Sequence, residues 1–229
     1  ARRQRQMCIR DRGASIGNLI LPGGYLNHHE DMDPILFLFS KLVGVQGTVR
    51  AVVNHPLHLG VTLEDGREII NQHAFTGKKT APIDSPISEL FLSRSQAQRD
   101  DFTPKLGKRN RKLIAAADLI CYPPGSFYSS LLANLLPEGV GKAIAGNDNP
   151  KIFVPNPAYD AEQFGMTFPD LIDRLIRTLR NDCGPDVPMN RLLNYVLVDR
   201  KNGKYPPELS RKALQTLGIE LIDMPLISS

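Results

Sequence analysis

Several groups of residues have types and spacings that could do chemistry. Gly13-Ala-Ser15-Ile-Gly17 matches Gly-x-Ser-x-Gly, the nucleophile elbow of serine hydrolases. That motif needs a strand before it and a histidine base late in the chain. The histidines are His28, His29, His55, His58 and His73, all in the first third, so a hydrolase would lack its base. Pro123-Pro-Gly-Ser-Phe-Tyr-Ser-Ser130 stands between an apolar strand and an apolar helix. Here Gly125 would let an anion approach the backbone, and Ser126 could cap the helix with its free N–H groups facing outward. Tyr128, Ser129 and Ser130 would add hydroxyl donors. Together these form a phosphate cradle at the carboxyl edge of a parallel sheet. A plain Pro/Gly turn with a serine cap fits the same pattern equally well. No Gly-Lys-Ser/Thr occurs, so this is not a Walker loop.

Other clusters carry less. In extended chain the side chains of His55 and His58 would point to opposite faces, which disfavours chelation. His28-His29-Glu30 with Asp31 and Asp33 could hold a metal but also fits a solvated loop. Lys78 and Lys79 after Gly77 could reach a phosphate or simply face water.

The elements that must position these residues follow from periodicity. Pro34–Leu42 is nearly continuously apolar and predicts a buried helix. Thr48–Val53 is β-branched and predicts a strand. Leu57–Leu63, the turn Glu64-Asp65-Gly66 and Arg67–Ile70 predict a hairpin, with a further strand at 89–92. From residue 108 onward short apolar strands (118–122, 151–155, 195–198, 219–222) alternate with amphipathic helices. The clearest helix has its stripe from Phe168 to Leu179 and Thr167 as N-cap. Such alternation means a parallel sheet covered on both faces. The fold class expected is α/β: a Rossmann-like three-layer fold with a mostly parallel sheet and a small antiparallel excursion around 48–92.

Charge narrows the partners. The net charge of +4 equals the surplus of five arginines over one aspartate in residues 1–12, leaving the remainder neutral. Composition therefore gives no case for nucleic acid. No apolar run approaches the ~18 residues of a membrane span. Cys121 and Cys183 lie far apart, as suits a cytoplasmic protein, and Cys121 reads as a small core residue of its strand. Residues 1–12 resemble a translated sequencing adapter and are set aside from the fold. Residues 13–229 are then expected to form one domain.

Taken together, the segments resemble the CofD-like family of 2-phospho-L-lactate transferases and gluconeogenesis factors. Gly13-x-Ser15-x-Gly17-Asn18-Leu-Ile-Leu21 is similar to that family's His-Ser-x-Gly-Asn-Leu block, with Ala14 where the family often has His. Glu64-Asp65-Gly66 followed by Gly77-Lys78-Lys79 is similar to its central hairpin and downstream segment. Pro124-Gly-Ser-Phe-Tyr-Ser-Ser-Leu-Leu-Ala-Asn-Leu-Leu136 is the closest block, and Lys151–Asn156 resembles the strand after it.

The resemblance implies a nucleoside diphosphate conjugate as ligand. Gly125, Ser126, Tyr128, Ser129 and Ser130 would lie at its phosphates, and Ser15, Gly17, Asn18 and Asn156 at the crevice. In the transferase branch a phospho-acyl-type group passes from a GDP-type donor to an acceptor alcohol with Mg²⁺, and this reading is preferred. The alternative is a non-catalytic UDP-sugar-binding regulator of the gluconeogenesis-factor type. A dehydrogenase ranks third, because Gly-x-Gly-x-x-Gly is missing. The family's N-terminal glycine-rich strand–loop and acidic segment are also missing, so nucleotide binding without turnover is expected. Homo-oligomerisation is left open.

Overall fold

The structure is a computed structural model that describes residues 16–76, 82–100 and 102–227. Two compact units divide the chain, residues 1–54 and 55–229.

In the first unit, helix α1 (Ile16–Asn27) runs through Pro22 and the Gly23-Gly24 pair. A Cβ on Gly24 would lie 2.3 Å from the side chain of Ile35, so glycine is what lets α1 approach helix α2 (Met32–Leu42). Asp31 caps α2, accepting from the Asp33 amide at 3.0 Å. The expectation of a buried helix over 34–42 is corrected. Only Ile35 of α2 is buried, whereas Phe37, Leu38 and Leu42 are more than half exposed.

The second unit begins with an antiparallel sheet ordered β2-β1-β3, made of β1 (His58–Leu63), β2 (Glu68–Ile70) and β3 (Ile87–Ser93). Gly66, at φ +85°, closes the β1–β2 turn and donates its amide to Leu63 O. The strand expected at Thr48–Val53 does not form. The segment pairs with no strand, and β-branched residues gain from extension chiefly through such pairing.

Beyond a short helix α3 (Gln72–Phe75) and helix α4 (Lys108–Ala115), the parallel sheet runs in the order β4-β5-β6-β7. Its strands are β4 (Ile120–Tyr122), β5 (Lys151–Phe153), β6 (Tyr195–Val198) and β7 (Glu220–Asp223). Helices α5 (Val140–Gly146), α6 (Phe168–Cys183) and α7 (Arg211–Thr216) connect them. The mixed α/β class and its small antiparallel sheet are as expected. Helix α6 carries the core, with Leu171, Ile172, Leu175, Ile176 and Leu179 all buried. A reciprocal capping box between Thr167 and Asp170 starts it. Cys121 is corrected from core to exposed, because the pleat of β4 turns Tyr122 inward and its neighbour outward. Among the described residues no helix is long and apolar enough to cross a membrane.

At the end of β6, the buried carboxylate of Asp199 accepts from the Asn202 side chain at 2.9 Å and from the amides of Leu226 and Ile227 at 3.0 and 3.2 Å. Those donors, the Asn202 side chain first, hold its pKa down to about 2 from an ordinary 3.8. A carboxyl lowered by folding stabilises the fold above its ordinary value, and that contribution fades as pH falls through the folded value. The Leu226 and Ile227 amides are therefore expected to lose hydrogen-exchange protection between pH 4 and 2. Protection unchanged across that range would show that Asp199 does not hold the C-terminal segment.

Candidate functional site

The turn Pro123–Ser126 leaves the carboxyl end of β4, beside the end of β5, with Tyr122 paired to Phe153. The Tyr122 hydroxyl donates to Leu192 O at 2.8 Å and anchors the strand end in the core. Next comes one wide π turn, Phe127–Leu131, and a 3₁₀ turn, Leu132–Asn134, in place of the regular helix expected. The carbonyl of Ser126 accepts from both Ser130 N (2.9 Å) and Leu131 N (3.3 Å), which widens the turn.

The turn's first amides are already engaged. Phe127 N donates to Asp160 Oδ2 at 2.7 Å. Tyr128 N and Ser129 N both donate to Glu162 Oε2, at 3.0 and 2.8 Å, and the Ser129 hydroxyl donates to Glu162 Oε1 at 2.5 Å. Both carboxylates are buried. They occupy the positive end that the sequence reading reserved for a ligand phosphate, so the amides of 127–129 serve the fold.

This changes the roles expected within 125–130. Ser126 stands at the N-cap position, but its side chain makes no cap bond. The Tyr128 ring is buried. Its hydroxyl donates to Ile87 O at 3.3 Å, and burial pushes its pKa up to about 12. Tyr128 therefore ties the turn to β3 and is no surface donor. Ser129 spends its hydroxyl on Glu162. What remains open to a ligand is the half-buried Gly125-Ser126 pair and the exposed Ser130.

The other expected residues are dispersed. Asn156 lies just beyond β5, where its Oδ1 accepts from Ala158 N at 3.2 Å and shapes the following loop. Gly17 and Asn18 lie in the first turn of α1, in the other unit, while Ser15 and residues 77–79 fall outside the described residues. His55 packs edge-on against Phe102, with ring centroids 5.4 Å apart. His29 and Glu30 take positive φ in the turn between α1 and α2. Among the described residues no three His, Cys, Asp or Glu side chains gather as a metal site. Sequence reasoning missed Asp160 and Glu162. Their signal was an Asp-x-Glu pair in the loop that leaves a parallel strand, at the edge where the Ser/Gly turn also lies.

A family model described as 2-phospho-L-lactate transferase CofD matches residues 9–227. The gluconeogenesis factor of Bacillus subtilis (strain 168) is 32% identical over 145 residues, 63% of this chain and 41% of that protein. That of Halalkalibacterium halodurans is 28% identical over 222 residues, 92% of this chain and 62% of that protein. The chain thus spans about two fifths to three fifths of the length of these curated relatives. In fold it is similar to the crystal structure of a UPF0052 family member from Bacillus halodurans, with TM-score 0.71 at 24% identity over 93% of this chain and 66% of that one.

Proposed function

The chain belongs to the family of the 2-phospho-L-lactate transferase CofD, and from that premise we propose that it binds a nucleoside diphosphate conjugate at the carboxyl edge of its parallel sheet. Gly125, Ser126 and Ser130 meet the diphosphate in this reading. The observation that carries it is the turn itself. Asp160 and Glu162 hold the backbone amides of 127–129, so the neighbouring Gly125-Ser126 pair is pre-organised and offers small groups that a diphosphate can approach closely. The names of the curated relatives favour a protein of the gluconeogenesis-factor type, the branch for which the resemblance implies binding of a UDP-sugar. The family model's own name, 2-phospho-L-lactate transferase, supports a second reading as a transferase, for which the resemblance implies a GDP-type donor and an acceptor alcohol.

The described residues do not build a cage for the Mg²⁺ that the resemblance implies. Asp160 and Glu162, the carboxylates at the turn, give their oxygens to amides and to the Ser129 hydroxyl.

Gly125→Val tests the proposal. An added Cβ would lie 3.3 Å from Ser130 Cβ, and Ser130 is exposed enough to yield, so the fold is expected to survive. The branched side chain would stand where the diphosphate must approach. Calorimetric affinity for UDP-glucose is expected to fall at least tenfold. Unchanged affinity in a folded variant would remove the turn from the site. Tighter binding of GDP than of UDP-glucose, with Mg²⁺-dependent GMP release from a GDP conjugate when an acceptor is added, would favour the transferase reading.

A further inference from the structure

Strand β3 forms one edge of the antiparallel sheet, and a groove of about 280 Å³ opens beside its residues 90–92. Leu90 and Leu92 form one wall, and Phe102, Thr103, Pro104 and Leu136 form the other. We propose that this groove takes an extended, uncharged peptide segment of a partner protein, which adds to β3 as a further strand of the sheet.

The phase of the ladder decides which backbone groups meet the groove. Leu63 N donates to Arg67 O, so Leu63 and Val61 direct their backbone groups toward β2. Gly60 and Thr62 therefore face β3 and bond with their partners Phe91 and Glu89. Leu90 and Leu92, in the alternate phase, turn their N–H and C=O groups away from β1. Ser88 shares that phase, and its carbonyl accepts from Arg174 of α6 at 2.7 Å. Arg174 thus covers the Ser88 end of the edge. At Leu90 and Leu92 the two N–H and two C=O groups have no partner among the described residues.

An open edge is normally blunted by proline, a charge or a bulge. Here it carries two half-buried leucines. A row of alternating donors and acceptors at strand spacing is complemented by another extended backbone, and neither a lipid chain nor a stacked base offers a matching row.

Charge selects the occupant. Arg99 and Asp100 are the charged residues that line the groove, and each is already neutralised, Arg99 by Glu89 at 2.6 Å and Asp100 by Arg94 at 2.8 Å. Arg99 is also held over the Phe91 ring, 4.4 Å from its centroid. A charged segment would have to compete with these pairs, whereas a neutral one matches walls without net charge. A second copy of the chain does not fit. Symmetric pairing would bring two β3 edges to about 4.8 Å, and each stands behind the Phe102–Pro104 wall of its own chain.

The probe is an end-blocked octapeptide of alternating valine and threonine, titrated into the full chain. Fluorescence anisotropy of a labelled copy gives the affinity, and hydrogen exchange followed by NMR gives the place. Saturating peptide is expected to slow exchange of the Leu90 and Leu92 amides at least tenfold and to leave Phe91, already bonded within the sheet, unchanged. The same peptide N-methylated at every residue is expected not to bind. Leu92→Pro removes one outward N–H without touching the ladder to β1, and is expected to weaken binding at least tenfold, with circular dichroism as the check on folding. Should that variant unfold, exchange in the wild-type chain decides alone. Absence of binding, or binding that protects neither Leu90 nor Leu92, overturns the proposal. So does tighter binding of a glutamate- or lysine-substituted peptide, or a concentration-dependent dimer that protects the same two amides with no peptide present.

Discussion

Replacing Glu162 with alanine is expected to lower the melting temperature by roughly 6–12 °C, corresponding to about 3 kcal/mol. The buried carboxylate is the acceptor for two backbone amides and one hydroxyl, and those three donors have no other acceptor among the described residues. Alanine would leave all three without a partner at the mouth of a turn that has no regular helical bonding to fall back on. Glu162→Gln keeps the shape, with the amide oxygen accepting from the two backbone groups, and so is expected to retain most of the stability.

The glutamine variant should also behave differently with pH. Burial, reinforced by the neighbouring Asp160 charge, holds the Glu162 carboxyl above the usual 4.5, outweighing the donors that favour its ionised form. Below 4.5 the group is protonated in both folded and unfolded chains. As pH climbs from there the unfolded chain ionises first, so wild-type stability should fall until the folded group has ionised too. Thermal unfolding of wild type and Glu162→Gln across this interval tests the point. A wild-type melting temperature that rises there relative to the variant would overturn the assignment, and a drop under 2 °C for Glu162→Ala would show that the clamp is dispensable.

Gly141→Ala is expected to lower the melting temperature by up to roughly 8 °C, and Gly141→Val by more. Gly141 lies in α5 where it crosses α6, and an added Cβ would stand 2.5 Å from the carbonyl oxygen of Leu179 and 3.1 Å from Asp182 Cβ. The nearest of these is helix backbone in the fully buried stretch of α6, so the two helices would have to part. Alanine gains about 1 kcal/mol of helix propensity over glycine, against an overpacking cost of about 1–3 kcal/mol. Separation also strains the Asp182 carboxylate, which caps α5 by accepting from Gly139 N at 2.9 Å and Lys142 N at 2.9 Å. The cost therefore wins. An equal or higher melting temperature for the alanine variant would show that the crossing has slack.

Much of the carboxyl-terminal fold was legible in the chain, for local reasons. The Phe168–Leu179 stripe, the Thr167 cap and the apolar runs of β4 to β7 each announce themselves within a few residues. In these segments periodicity and capping chemistry point the same way as tertiary burial. The Leu63–Arg67 turn was readable too, because only glycine sits easily at the φ of +85° that residue 66 adopts. Thr48–Val53 and the apolar face of α2 misled, since extension needs a partner edge and burial needs a neighbour, and neither is written in the segment itself. The same distinction governs the site. Sequence alone determined that a Gly-Ser turn would end a parallel strand, and through the residues around it, which family the chain belongs to. Tertiary structure alone decided which donors in that turn were left for a ligand. Asp160 and Glu162 lie more than thirty residues along the chain, yet they fill the helix-end positions by hydrogen bonding, turn Ser129 inward and leave only Gly125, Ser126 and Ser130 facing outward. A backbone N–H looks free in a sequence, but buried donors must be paired, and the partner can come from any part of the fold.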